Sequence, residues 1–64
     1  GQNPGGSVTK FFIQYEDQHH YWRQWGTVHH PQQAVRTAKH QARNTKRRWR
    51  VVNEDGALLD LFSP

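Results

Sequence analysis

The sequence predicts an α+β fold of the order β-hairpin, helix, β-hairpin (ββαββ), and three observations predict it. An Asn53-Glu54-Asp55-Gly56 turn signal separates two apolar stretches. A segment opening at Pro31 carries alanines at helical spacing. Ahead of it, Lys10 to Tyr15 and Tyr21 to Val28 are two short stretches rich in aromatic and β-branched residues. Together they imply one helix packed on one face of a four-stranded, mainly antiparallel sheet. Strand order is left open.

The first hairpin pairs Lys10-Phe11-Phe12-Ile13-Gln14-Tyr15 with Tyr21-Trp22-Arg23-Gln24-Trp25-Gly26-Thr27-Val28 across a polar turn, Glu16 to His20. So short a connection makes the strands antiparallel. Strict alternation puts Tyr21, Arg23 and Trp25 on one face of the second strand and Trp22, Gln24, Gly26 and Val28 on the other. Trp22 and Val28 are assigned to the core side.

Pro31 suits a first helical position, where its missing N–H costs nothing. From Gln32 to about Thr45 there is no glycine, proline or aromatic residue. At 100° per residue Ala34, Val35, Ala38 and Ala42 fall within an arc of roughly 100°, and alanines there bring the helix close to the sheet. The cations Arg36, Lys39, Arg43, Lys46 and Arg47 fall within roughly another 100° on the exposed side. Arg47 and Arg48 also lie near the helix C-terminus, which favours positive charge.

The last hairpin carries the clearest signal. A type I turn followed by a left-handed glycine pairs Asn53 with Ala57. Continued regularly, that register sets Val51 opposite Leu59 and Trp49 opposite Leu61, an apolar inner face. It sets Arg50 opposite Asp60 and Val52 opposite Leu58 on the outer one.

Length and composition bound the rest. A chain of 64 residues holds one domain, taken as residues 10–64, and buries only about 60% of the surface its unfolded form exposes. Residues 1–9 read as a flexible lead-in, in part an expression remnant. With no cysteine there is neither a disulfide nor a thiolate metal site. No apolar run approaches the roughly 20 residues of a membrane span, and no signal peptide is legible, so a cytoplasmic protein without a membrane partner is expected.

Charge is unevenly distributed. The net charge is +4, yet the five acids, Glu16, Asp17, Glu54, Asp55 and Asp60, stand at the turns or beyond. Between Gln18 and Asn53 there is no acid, and eight of the nine cations lie there. A middle of one sign favours an anionic partner, either nucleic acid or an acidic protein surface. Its plain alternative is a solvated face.

No metal site is expected. His19 and His20 stand about one strand length, roughly 25 Å, from His29 and His30, and His40 projects from the helix. Nor is catalysis expected: the carboxylates do not converge, no phosphate loop occurs, and two layers of this size offer little cleft. No cofactor or small-molecule substrate is implied. What remains is a small basic binding module. Nucleic acid could be held by the helix stripe (Arg36, Lys39, Arg43, Lys46, Arg47) or by the open sheet face, bearing Phe12, Arg23, Trp25, Arg48 and Arg50. These two surfaces point in opposite directions. The alternative is a protein-interaction or homodimerisation module using the open face, with Trp25, Phe12 and Phe62 as the apolar surplus. Trp22, Trp49, Phe11 and Ile13 are needed for the core.

The pattern of Trp22, Gln33-Ala34-Val35, Ala38, Ala42 and the run from Trp49 to Gly56 resembles small bacterial and phage ββαββ domains of unknown function. Their ends read roughly V-V-x-x-x-D-G-x-(apolar), and the likeness covers about Phe11 to Phe62. It implies the topology and no ligand. The histidine pairs and the acid-free middle depart from it.

Overall fold

The computed structural model describes residues 9–64; apart from Thr9, the expected lead-in lies outside them. Strands β1 (Phe11–Glu16) and β2 (Trp22–Val28), helix α1 (Pro31–Thr45), and strands β3 (Trp49–Asn53) and β4 (Leu58–Phe62) follow in chain order. They form the ββαββ α+β fold the sequence implies, one sheet of order β2-β1-β3-β4 with every neighbouring pair antiparallel and α1 on one face. The central strands β1 and β3 bury the most apolar side chains, and that decides the order. Ile13 and Val51, both fully buried, stand opposite each other across their shared ladder. Phe11, Trp49 and the alanines 34, 38 and 42 complete the core, with Tyr15, Val28, Val35 and Phe62 packed around it.

Both edge strands are bulged, and each bulge reverses part of the expected facing. In β2 the register passes from Ile13↔Gly26 to Gln14↔Gln24, leaving Trp25 as the extra residue. Val28 keeps the helix side opposite Phe11, but beyond the bulge Trp22 pairs with Glu16 on the open face and Arg23 pairs with Tyr15 on the helix side. The assignment of Trp22 to the core is thereby corrected. In β4, Asn53 pairs with Ala57 and Val52 with Leu58 as expected, and then Leu59 is skipped. Val51 consequently meets Asp60, Arg50 meets Leu61 and Trp49 meets Phe62. The Arg50–Asp60 pair is not formed, and Leu59 and Leu61 stay exposed; Phe62 takes the inner place. Bulges at edges twist the free strand away from edge-to-edge pairing, a use regular alternation cannot reveal.

The two hairpin turns are one motif written twice. The N–H of Asn53 donates to Ala57 O at 3.0 Å, and Gly56 N–H to Asn53 O at 3.0 Å. The Asn53 side-chain oxygen accepts from the N–H groups of Asp55 and Ala57, both at 2.9 Å. Asp17 repeats each bond: its N–H to Tyr21 O at 2.8 Å, His20 N–H to its carbonyl at 3.0 Å, and its Oδ1 from the N–H groups of His19 and Tyr21. The fourth residue is left-handed in both, Gly56 at φ 82° and His20 at φ 68°. The second turn announces itself through glycine; the first hides the same geometry behind a histidine.

Helix α1 starts on Pro31 after an extended His30, with Ala34 N–H donating to His30 O at 3.1 Å. It ends on Lys46, left-handed at φ 57°, whose N–H donates to Ala42 O at 3.1 Å. A side chain in that region costs about 1–2 kcal/mol that glycine avoids, against glycine's greater freedom when unfolded. Lys46→Gly and His20→Gly are therefore each expected to raise stability by about 0.5–1 kcal/mol. Thermal melts check this, and a fall in either variant would show that the side chain makes a compensating contact.

Candidate functional site

Helix α1 lies mainly over β1 and β3 and least over the edge strand β2. An open cleft of about 610 Å³ lies between the β1–β2 hairpin and the C-terminal part of α1. Small-ligand pockets span about 300–1,000 Å³. So the expectation of little cleft is corrected. Its wall is aromatic. Trp49 anchors it, 2% exposed, with Nε1 donating to Thr45 Oγ1 at 2.8 Å, while that hydroxyl donates to Gln41 O at 2.7 Å. The Tyr15 ring lies 5.2 Å from Trp49, tilted by 35°. Trp25, carried inward by its bulge, meets Trp49 edge-on at 5.7 Å and 70°, yet remains 50% exposed. One of its surfaces is fixed and the rest meets solvent.

Two arginines border these rings. Arg23 donates from Nε to Asp17 Oδ2 at 2.7 Å, and among the described residues its Nη groups make no hydrogen bond. Arg47 reaches the same cleft and donates to Glu16 O at 3.5 Å. Had the helix continued, Arg47 would stand roughly opposite Ala38, facing water. The left-handed turn at Lys46 brings it back to the sheet instead, so its expected membership of the helix stripe is corrected.

Asp17 orients Arg23 from inside its turn. The Arg23 guanidinium first, then the Tyr21 and His19 N–H groups, hold its carboxyl down at about 2, against an ordinary 3.8. A carboxyl depressed in the folded state stabilises that state fully above pH 3.8, and the contribution disappears as pH falls toward 2. Glu16, lowered by Arg48, acts in the same direction. The melting temperature should therefore drop between pH 4 and 2, by less in Asp17→Asn than in the parent chain. Equal drops would remove the role given to Asp17.

Elsewhere the candidate residues separate. Arg36, Lys39 and Arg43 stand exposed on α1, and with Lys46 they form no ion pair among the described residues. Pro31, Gln32 and Val35 border a second, shallower depression beside Arg36 and Lys39. On the open face Arg48 is held bidentately by Glu16, at 3.0 and 2.8 Å. Arg50 donates to Gln14 Oε1 at 2.7 Å and lies 4.3 Å over the Trp22 ring. An open-face set of Phe12, Arg23, Trp25, Arg48 and Arg50 is therefore not assembled. Arg23 and Trp25 belong to the helix side, and the face's tryptophan, Trp22, is already capped by arginine. Cross-strand register gives this face an apolar row instead, Phe12–Val52–Leu58, with Leu61 beside it.

His19 borders the cleft and His20 approaches Glu16 at 3.8 Å, whereas His29 lies beside Thr9 and His40 meets Asn44 at 2.9 Å. Among the described residues no three metal-ligating side chains come together, and no helix is long and apolar enough to cross a membrane. No protein-family model, curated protein or solved structure matches the chain.

Proposed function

We propose that this chain is a binding module, not an enzyme, and that its ligand is single-stranded nucleic acid held at the Trp25 cleft. The observation that carries the reading is Trp25 itself: half exposed, fixed edge-on by Trp49, and flanked by Arg23 and Arg47. A tryptophan kept partly in water beside arginines suits a planar base attached to a phosphate. Stacking tolerates any base, and guanidinium groups take the charge. The exposed cations of α1, which form no ion pair among the described residues, extend the same positive field. A duplex keeps its bases stacked on one another and offers none to the cleft.

The test is binding of a mixed-sequence single strand followed by tryptophan fluorescence as salt is raised. Affinity should fall steeply with salt. Trp25→Ala should weaken binding about 5- to 150-fold, the range of one stacked base. Because it also loses the edge-on contact with Trp49, worth about 0.5–1.5 kcal/mol beyond the buried area, binding is compared well below the variant's melting temperature. No binding at low salt, or tight binding indifferent to salt, overturns the proposal.

A second reading has its own observation, the apolar row of the open face, where Leu58 is 57% and Leu61 42% exposed. A second copy covering it would support a core this small. Sedimentation decides: a strict monomer at high concentration removes this reading and leaves the first untouched.

A further inference from the structure

The cleft and the helix cations do not lie side by side. Taking Ala38 as the direction of the sheet, Gln41 and Thr45 sit roughly 60° and 20° to one flank, toward the cleft. Lys39, Arg43 and Arg36 sit roughly 100° to 160° round the other way. What joins them is the helix C-terminus. There Arg47 turns down into the cleft while Lys46, next to it in sequence, occupies the left-handed cap. Arg43 lies one turn back, then Lys39 and Arg36. The cations thus form one ordered line from the cleft, over the end of the helix and back along its outer side. None of them from Lys46 to Arg36 is engaged by an acid among the described residues.

Resting on the reading above, we propose that the ligand is one continuous single strand, anchored by a base at Trp25 and Arg47 and running from there along α1 over Lys46, Arg43, Lys39 and Arg36. The helical stretch from Arg36 to Thr45 is about 14 Å long, and with the turn at Lys46 and Arg47 beyond it the track suits the lower end of single-strand sites, about four nucleotides. The anchor is met by every strand, however short. Its far end is met only by a strand long enough to reach it. A patch that merely attracts negative charge has no such order, because any cation then contributes to any ligand.

The experiment uses a thymidylate dinucleotide and an octanucleotide against the whole chain and two double variants, Arg36→Gln/Lys39→Gln and Trp25→Phe/Arg47→Gln, each checked for an unchanged melting profile. The helix pair should leave dinucleotide affinity within about two-fold and lower octanucleotide affinity about ten-fold, with a salt slope shallower by about 1.4, from two lost phosphate contacts at about 0.7 each. The anchor pair should weaken both ligands by a similar factor. Salt-dependent binding in which the helix pair affects both lengths equally, or neither, overturns the ordered track and leaves the single-strand reading standing. A dinucleotide without measurable affinity at low salt overturns the anchor. Failure of both lengths on the parent chain overturns the single-strand reading itself.

Discussion

Trp49→Ala is expected to leave the domain largely unfolded at physiological temperature. Truncating a buried tryptophan removes about 3–5 kcal/mol, and a chain of this length holds about 3–10 kcal/mol in all. Its position argues for the upper part of the range. Trp49 is 2% exposed and lies on the central strand β3, with Tyr15 and Trp25 against it and its indole N–H closing onto Thr45 in the last turn of α1. One side chain thus joins three strands' worth of packing to the helix end. Trp49→Phe separates the contributions. It keeps most of the apolar volume and loses the bond to Thr45, at about 0.5–1.5 kcal/mol. Urea unfolding followed by far-ultraviolet circular dichroism measures both. A Trp49→Ala chain as stable as its parent would mean that the core rests on β1 and the alanines alone.

The elements of the fold were legible because each has a local cause. Pro31 and the alanine spacing specify α1; Gly56, with the apolar stretches on either side, specifies the β3–β4 turn. The first turn was legible only as a polar interruption. Its left-handed position is held by His20, and the Asp17 bonds that make it equivalent to the second turn are invisible until the backbone is placed. The bulges were less legible still. Alternation is a period of two, and one extra residue at Trp25 or Leu59 inverts every side chain beyond it. Regular alternation therefore exchanges Trp22 for Trp25, puts Leu59 and Leu61 inside and gives no sign of the cleft. One signal was available: Trp25-Gly26 sets a large ring beside a residue without a side chain, and isolated glycine within a strand marks bulges. Arg47 misled for a related reason. Helical periodicity was extended past Thr45, where a left-handed Lys46 had already ended it.

Ala38→Leu is the other substitution with a large expected effect, and two opposing terms decide its sign. Three added carbons would gain about 0.8 kcal/mol each if they could be buried freely. They cannot, because Ala38 is already 0% exposed between Ala34 and Ala42, 0% and 1% exposed themselves. Interiors this dense accommodate extra methylenes only by displacing their neighbours, typically at about 1–3 kcal/mol net. The displaced neighbour is the helix. Ile13 and Val51 beneath belong to central strands held by ladders on both sides, whereas α1 is held by side-chain packing. Lifting it moves Gln41 and Thr45 away from Tyr15 and Trp49, so the alanine stripe sets the width of the cleft as well as the distance between layers. The melting temperature should fall, and tryptophan emission should shift to the red as water reaches Trp25 and Trp49. Binding of a single strand should weaken although no residue of the proposed contact surface has changed. Ala38→Gly provides the contrast: it lowers stability by about 1 kcal/mol through helix propensity but lets the helix stay down, so emission and binding should keep their parent values. A leucine variant that melts higher than the parent would show that the space between helix and sheet yields without strain, and the cleft's dimensions would then need another cause.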